Sequence, residues 1–154
     1  MTQPQPFQYR LRVRYAECDA QGVVFNARYA DYVDLAINEY IRTLFGDYQR
    51  LLERDLDVQV VSMNLNWQAP ARFDDVLCVD VLPGRIGNSA FGVSLRFHDY
   101  AAGHAIADAS VTYVMVVPSR GGKTPIPGDL REKLAAGAPG QCISHAGEAP
   151  RPER

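Results

Sequence analysis

From Phe7 to Tyr15 apolar and polar residues alternate one for one: Phe7, Tyr9, Leu11, Val13 and Tyr15 against Gln8, Arg10, Arg12 and Arg14. A period of two puts every second side chain on one face, so the segment predicts a strand with a single buried side. After an acidic turn the period changes. Tyr29, Val33, Ile37, Tyr40, Ile41 and Leu44 recur at the spacing of one apolar helical stripe. The helix is expected from about Ala27 to Phe45, with Asn26 as N-cap, Asp31 near the positive end and Gly46 as the C′ stop. A shorter helical segment is expected from Asp47 to Arg54.

From Val58 onward the helical period is gone. Val61, Met63, Leu65 and Trp67 alternate with Ser62, Asn64, Asn66 and Gln68; a turn through Pro70–Asp75 leads into a strand from Val76 to Leu82. Gly84–Ser89 makes the next turn, Phe91, Val93, Leu95 and Phe97 alternate again, and Ala102-Gly103 closes a hairpin into a last long strand from about His104 to Val117. Four strands joined by short turns imply a mainly antiparallel sheet, and the one long helix supplies the apolar cover its inner face needs. Pro118–Gly128 holds three prolines and three glycines and reads as loop, Asp129–Ala136 as a short helix. Beyond Ala138 small, polar and proline residues predict a tail without order. The expected architecture is α+β, one domain over residues 1–137 followed by the tail 138–154.

Composition narrows the function classes. The 154 residues are 47% hydrophobic and 22% charged, as in an ordinary globular protein that buries its core without staples. A net charge of −2 supplies no electrostatic footprint for nucleic acid or an anionic membrane. No apolar run approaches the roughly 20 residues of a membrane-spanning helix, and Met1–Pro6 lacks the basic and apolar regions of a signal peptide. Cys18, Cys78 and Cys142 are scattered, which fits reduced thiols in a cytoplasm and no zinc motif. His98, His104 and His145 are spaced for neither a metal site nor a Ser-His-Asp arrangement. Gly121-Gly122-Lys123-Thr124 has the letters of a phosphate loop without its glycine spacing or strand–helix context.

The candidate chemistry lies between the first strand and the long helix. A carboxylate, Asp19, stands a few residues before a helix N-terminus, where unpaired N–H groups and the helix dipole favour developing negative charge. Such a place suits attack on a carbonyl. The competing reading is a strand-to-helix turn in which Asp19 bonds its own backbone. Gly22 provides a positive φ or a close backbone approach to a ligand. Tyr29 lies on the apolar stripe, as a core residue or a substrate contact. Glu17 competes with Asp19 for the acid's role, but its neighbours suggest an outward charge or a partner for Arg14. Cys18 borders the acid with no histidine to activate it.

The run Arg14-Tyr15-Ala16-Glu17-Cys18-Asp19-Ala20-Gln21-Gly22-Val23-Val24-Phe25-Asn26-Ala27-Arg28-Tyr29 resembles the aromatic-x-acid-x-Asp-x-x-Gly-x-Val segment of the 4-hydroxybenzoyl-CoA thioesterase branch of the hot-dog fold. Pro70–Asp75 resembles that family's turn between its second and third strands, and Gly84–Phe91 its next hairpin. The resemblance implies a hot-dog fold, an antiparallel sheet of about five strands wrapped around one long helix. It implies hydrolysis of an acyl or aroyl thioester to free acid and CoA, with no cofactor beyond the coenzyme A of the substrate. An acyl-carrier-protein thioester is a further candidate substrate. Asp19 is the expected nucleophile or general base, with Asn26 and Gly22 in the catalytic set. Backbone N–H groups near Asn26 and Ala27 are expected to polarise the carbonyl. Tyr29, Ala27, Arg85, Asn88 and Ser89 are the expected substrate contacts, with Arg120 and Lys123 weaker candidates for the phosphates. Many relatives carry histidine where this chain has Asn26, and asparagine cannot titrate near neutrality. That departure keeps an acyl-CoA-binding module on the same scaffold as the alternative, with an enoyl-thioester hydratase behind it. The family also implies pairing of sheets side by side, so a homodimer or homotetramer is expected.

Overall fold

The alternating N-terminal segment forms β1 (Phe7–Arg12), with Phe7, Tyr9 and Leu11 buried on one face. The structure is a computed structural model that describes residues 5–147. A 3-10 turn at Tyr15–Glu17 and a loop lead into α1 (Arg28–Phe45), then α2 (Tyr48–Glu53), β2 (Asp57–Trp67), β3 (Val76–Ile86), β4 (Ala90–Asp99), β5 (Ala105–Val116), α3 (Gly128–Ala136) and β6 (Cys142–Ser144). The six strands make one sheet in the order β2-β5-β4-β3-β1-β6. Every pairing is antiparallel except β1 with β6, which is parallel.

Helix α1 packs across the inner face of this sheet and buries the predicted stripe, Tyr29, Val33, Ile37, Tyr40, Ile41 and Leu44, together with Tyr32, Ala36 and Phe45. They meet Phe7, Tyr9 and Leu11 of β1, Val79 and Val81 of β3, and Leu95 and Phe97 of β4 in a single core. Each large side chain so enclosed contributes about 1.5–3 kcal/mol of transfer free energy. Polar residues of α1 remain outside, as the period requires.

Three boundaries differ from the sequence reading. α1 begins at Arg28, with Ala27 in the cap position and no side-chain cap bond, so Asn26 does not cap the helix through its side chain. β3 runs to Ile86 rather than Leu82, because a register shift between Pro83 and Ile86 carries the strand past proline and glycine instead of ending it. The stretch expected as an unordered tail holds β6, whose Cys142–Ser144 pair with Gln8–Arg10, and Ala138 and Ala146 are buried. The sheet therefore has six strands where about five were expected. The tail expectation for residues 148–154 lies outside the described residues.

β2 is an open edge, hydrogen-bonded only to β5, with a bulge between Val60 and Ser62. α1 lies closest over β1 and β3. Val60, Val61 and Trp67 consequently stay 45%, 59% and 46% exposed. Among the described residues no helix is long and apolar enough to cross a membrane.

Candidate functional site

The link from β1 to α1 is a tight, hydrogen-bonded turn. Asp19 N–H donates to Val23 O at 2.9 Å, Gly22 N–H to Asp19 O at 3.0 Å, and Gln21 N–H to Asp19 Oδ1 at 2.8 Å. Gly22 has φ +78° and open space around the position a Cβ would take, so glycine is there for the backbone angle and not for room. Val24 N–H donates to Ala71 O, and Val23 bridges Arg72, which ties the turn to the loop before β3. The hydrogen bonds show the turn reading of Asp19. One carboxylate oxygen completes the turn; Oδ2 makes no hydrogen bond among the described residues, and the side chain is half-buried.

Past the turn the backbone enters α1 by short bonds. Phe25 N–H donates to Glu17 O at 2.9 Å, Arg28 N–H to Phe25 O at 2.9 Å and Tyr29 N–H to Asn26 O at 3.2 Å. Asn26 and Ala27 fall between these donors, and their N–H groups meet no acceptor among the described residues. They lie on the exposed side of the positive end of an 18-residue helix, where an oxyanion is favoured.

A cavity of about 300 Å³ opens at this point, lined by Val23, Val24, Asn26, Tyr29, Trp67, Gln68, Ala69 and Pro70. Tyr29 is 1% exposed, and its ring packs edge-on against Tyr32, Trp67 and Phe97. It is therefore core and cavity wall together. Burial pushes its phenol up to about 12, so the hydroxyl stays neutral at ordinary pH. Trp67, Gln68, Ala69 and Pro70 were not among the site residues expected from the sequence. Trp67 reads there as one more inward residue of an alternating strand; only its position on the open edge, beside the helix start, turns it toward a cavity.

The structure brings Asn26 and Tyr29 to the cavity, with Ala27 beside them and Asp19 and Gly22 in the turn behind Val23. Arg85, Asn88 and Ser89 are elsewhere. They sit at the far end of β3, ten strand steps of roughly 3.3 Å from Val76, hence roughly 30 Å from the turn within one chain. Arg85 borders a separate cavity of about 320 Å³ with Gly87, Phe91 and Thr112. The Asn88 and Ser89 carbonyls accept from Ile126 and Met115 N–H. Arg120 and Lys123 belong to the loop after β5 at that same end, closed by a Val116–Lys123 bridge.

Glu17 is not an outward charge. It is 5% exposed and holds the Arg14 guanidinium at 2.9 Å, as the second of its two sequence readings has it. Burial raises its carboxyl, but donors from Arg14 and Tyr32 outweigh that and hold it below its ordinary value. Cys18 is half-buried, its Sγ 3.8 Å from Arg14 O. His98 lies 3.8 Å from Asp80, and the His145 Nδ1 is 2.9 Å from the Tyr9 hydroxyl. No group of acidic, histidine and cysteine side chains suited to a metal ion occurs among the described residues.

The chain is similar in sequence and fold to known proteins. The family model described as "Thioesterase superfamily" matches residues 21–106, from the middle of the turn into β5. The chain is 39% identical over 75 residues to the acyl-CoA thioesterase YbgC of Haemophilus influenzae, a stretch covering 48% of this chain and 55% of that relative. It is 27% identical over 131 residues to the long-chain acyl-CoA thioesterase FadM of Escherichia coli, covering 82% of this chain and 96% of the relative. The crystal structure of a 4-hydroxybenzoyl CoA thioesterase, an aspartate-to-asparagine variant complexed with 4-hydroxybenzoyl CoA, superimposes with a TM-score of 0.75. It is 20% identical and covers 82% of this chain and 96% of that one, a likeness of fold. With more than half of its length inside the family model and one helix laid across one antiparallel sheet, the chain belongs to the thioesterase superfamily and has the hot-dog fold.

Proposed function

We propose that the protein hydrolyses acyl-CoA thioesters to free acid and CoA at the β1–α1 turn. The observation that carries this is the pair of unpartnered N–H groups of Asn26 and Ala27 at the start of α1, reached from Asp19 and its free oxygen through the same hydrogen-bonded link, with Asn26 lining the cavity. The thioester oxygen accepts from these amides, which draws electron density off the carbonyl carbon; one such donor contributes about 3 kcal/mol to a developing oxyanion. Asp19 then either adds to the carbonyl carbon to give a mixed anhydride that water opens, or takes a proton from a water whose oxygen adds instead. On both routes the C–S bond breaks with its electron pair on sulfur. A thiolate is a good leaving group, so the missing histidine at position 26 is no obstacle. The Gln21 N–H bond fixes the carboxylate and leaves Oδ2 as the reacting oxygen.

A single chain leaves this site open beside the β2 edge. We propose a homodimer, or a tetramer of such dimers, in which two β2 strands pair antiparallel about their midpoint near Ser62. The Asp57 end of one copy then lies beside the Trp67 end of the other. The second copy's β3–β4 hairpin, with Arg85, Asn88 and Ser89, comes to the end of the sheet that holds the turn, where positive charge and donors suit the CoA phosphates. The three free cysteines support a cytoplasmic location.

The test is thiol release from a panel of aliphatic and aromatic acyl-CoAs and an acyl-carrier-protein thioester. Steady release, reduced at least about 100-fold by Asp19→Asn with folding intact, supports the hydrolase. Binding without turnover by the unaltered protein makes it an acyl-CoA-binding module, and full activity in Asp19→Asn removes that residue from the mechanism.

A further inference from the structure

We infer that Glu17 is the positioning residue of this site: it clamps the turn to the helix and so sets which backbone N–H groups stay free for the carbonyl. The inference rests on the hydrolase reading above and deepens it.

Glu17 is bound at both ends. Its carbonyl oxygen accepts the Phe25 N–H at 2.9 Å, the last paired amide before the free pair. Its carboxylate is 5% exposed and meets donors only: Oε1 takes the Arg14 N–H at 2.7 Å and the Tyr32 hydroxyl at 3.0 Å, and Oε2 takes Arg14 Nε at 3.2 Å and Nη2 at 2.9 Å. Tyr32 is 1% exposed and lies on the second turn of α1, locked in the core. The side chain thus fastens the turn to the rigid helix while the carbonyl fixes the amide that precedes Asn26.

Its place excludes direct chemistry. Glu17 borders a second cavity, of about 230 Å³, with Tyr9, Arg12, Arg14, Tyr32 and His145, and does not border the one that Asn26 and Tyr29 line. It acts through Phe25. A buried carboxylate is costly to desolvate, and its cationic partner among the described residues, Arg14, has a side chain 75% exposed. A purely apolar plug would fill the same space without that cost. It could not accept four hydrogen bonds, and a glutamine would turn an NH₂ against at least one of these donors. A shift of about 1 Å in the amides is enough to lower a rate about 100-fold.

The experiment uses the full chain and two variants, Glu17→Gln and Tyr32→Phe, read by amide hydrogen exchange and by thioester hydrolysis. Expected is at least about tenfold faster exchange at Phe25 in Glu17→Gln, with Val33 and Ile37 in the middle of α1 unchanged. A kcat lowered about 10–100-fold at a KM within about twofold should accompany it, and Tyr32→Phe should show both effects more weakly. Unchanged Phe25 exchange overturns the inference, as does a loss of protection equal at Val33 and Ile37, since that reports loosening of the whole domain. If Glu17→Gln does not fold, Tyr32→Phe decides by the same criteria. If the unaltered protein cleaves no thioester, the hydrolase reading falls, and the exchange data still decide whether Glu17 sets the free amides.

Discussion

At the residue scale two acids two positions apart in the chain play opposite parts because burial differs. Asp19 is half-buried with one oxygen unpaired, whereas Glu17 is enclosed and fully bonded. Glu17 is held below its ordinary value of 4.5 in the folded chain. A carboxyl lowered on folding stabilises the fold above its unfolded pKa, and that stability is lost as pH falls through the folded value. Thermal unfolding midpoints from about pH 6 to about pH 3 should fall more steeply for the unaltered protein than for Glu17→Gln, whose stability at neutral pH is lower to begin with. Parallel slopes would show that Glu17 has little part in the acid transition. The thiols divide by the same physics. Cys78 is 2% exposed and burial pushes it up to about 11, while Cys142 is exposed. An aromatic disulfide reagent at pH 8 should titrate Cys142 first, Cys18 more slowly, and Cys78 only on unfolding. Mass spectrometry of the labelled peptides checks the order.

At the element scale, the strands and the long helix were legible because their periods are clean, and their ends were not. Gly84–Ser89 reads as a turn, yet β3 continues to Ile86 because a register shift after Pro83 takes up the extra residue. A Cβ on Gly84 would stand 2.7 Å from the Gly92 backbone of the neighbouring strand. Gly84→Ala should therefore destabilise the protein by about 1–3 kcal/mol, seen as a lower denaturant midpoint, whereas alanine at Gly103, where nothing stands near, meets only the strain of a positive φ. Strand β6 was illegible for another reason. Three residues of ordinary composition become a strand only because β1 offers them an unpaired edge.

At the scale of the whole molecule, β2 is the unfinished part. Its bulged, half-exposed apolar edge ends beside the cavity, and a second copy would cover both. Light scattering at assay concentration should give at least twice the 17.1 kDa chain mass, and Val61→Lys at the exposed bulge should lower it and weaken turnover together. A lone 17.1 kDa species that turns over normally would leave the site complete in one chain.

What the chain determines without its fold is local. Period two and period 3.6 specify strand, helix and the apolar face of each, and the Asp-x-x-Gly turn is a matter of residues adjacent in sequence. The expectation that the amides near Asn26 and Ala27 face the substrate comes from the family resemblance of that run. The tertiary structure decided whatever depends on neighbours far along the chain: that Glu17 turns inward onto Tyr32, that Trp67 faces a cavity rather than the core, that Arg85, Asn88 and Ser89 lie at the opposite end of the sheet from the turn, and that a nondescript tail becomes a strand. Burial and long-range pairing are properties of the packed sheet and helix, and no window of sequence contains them.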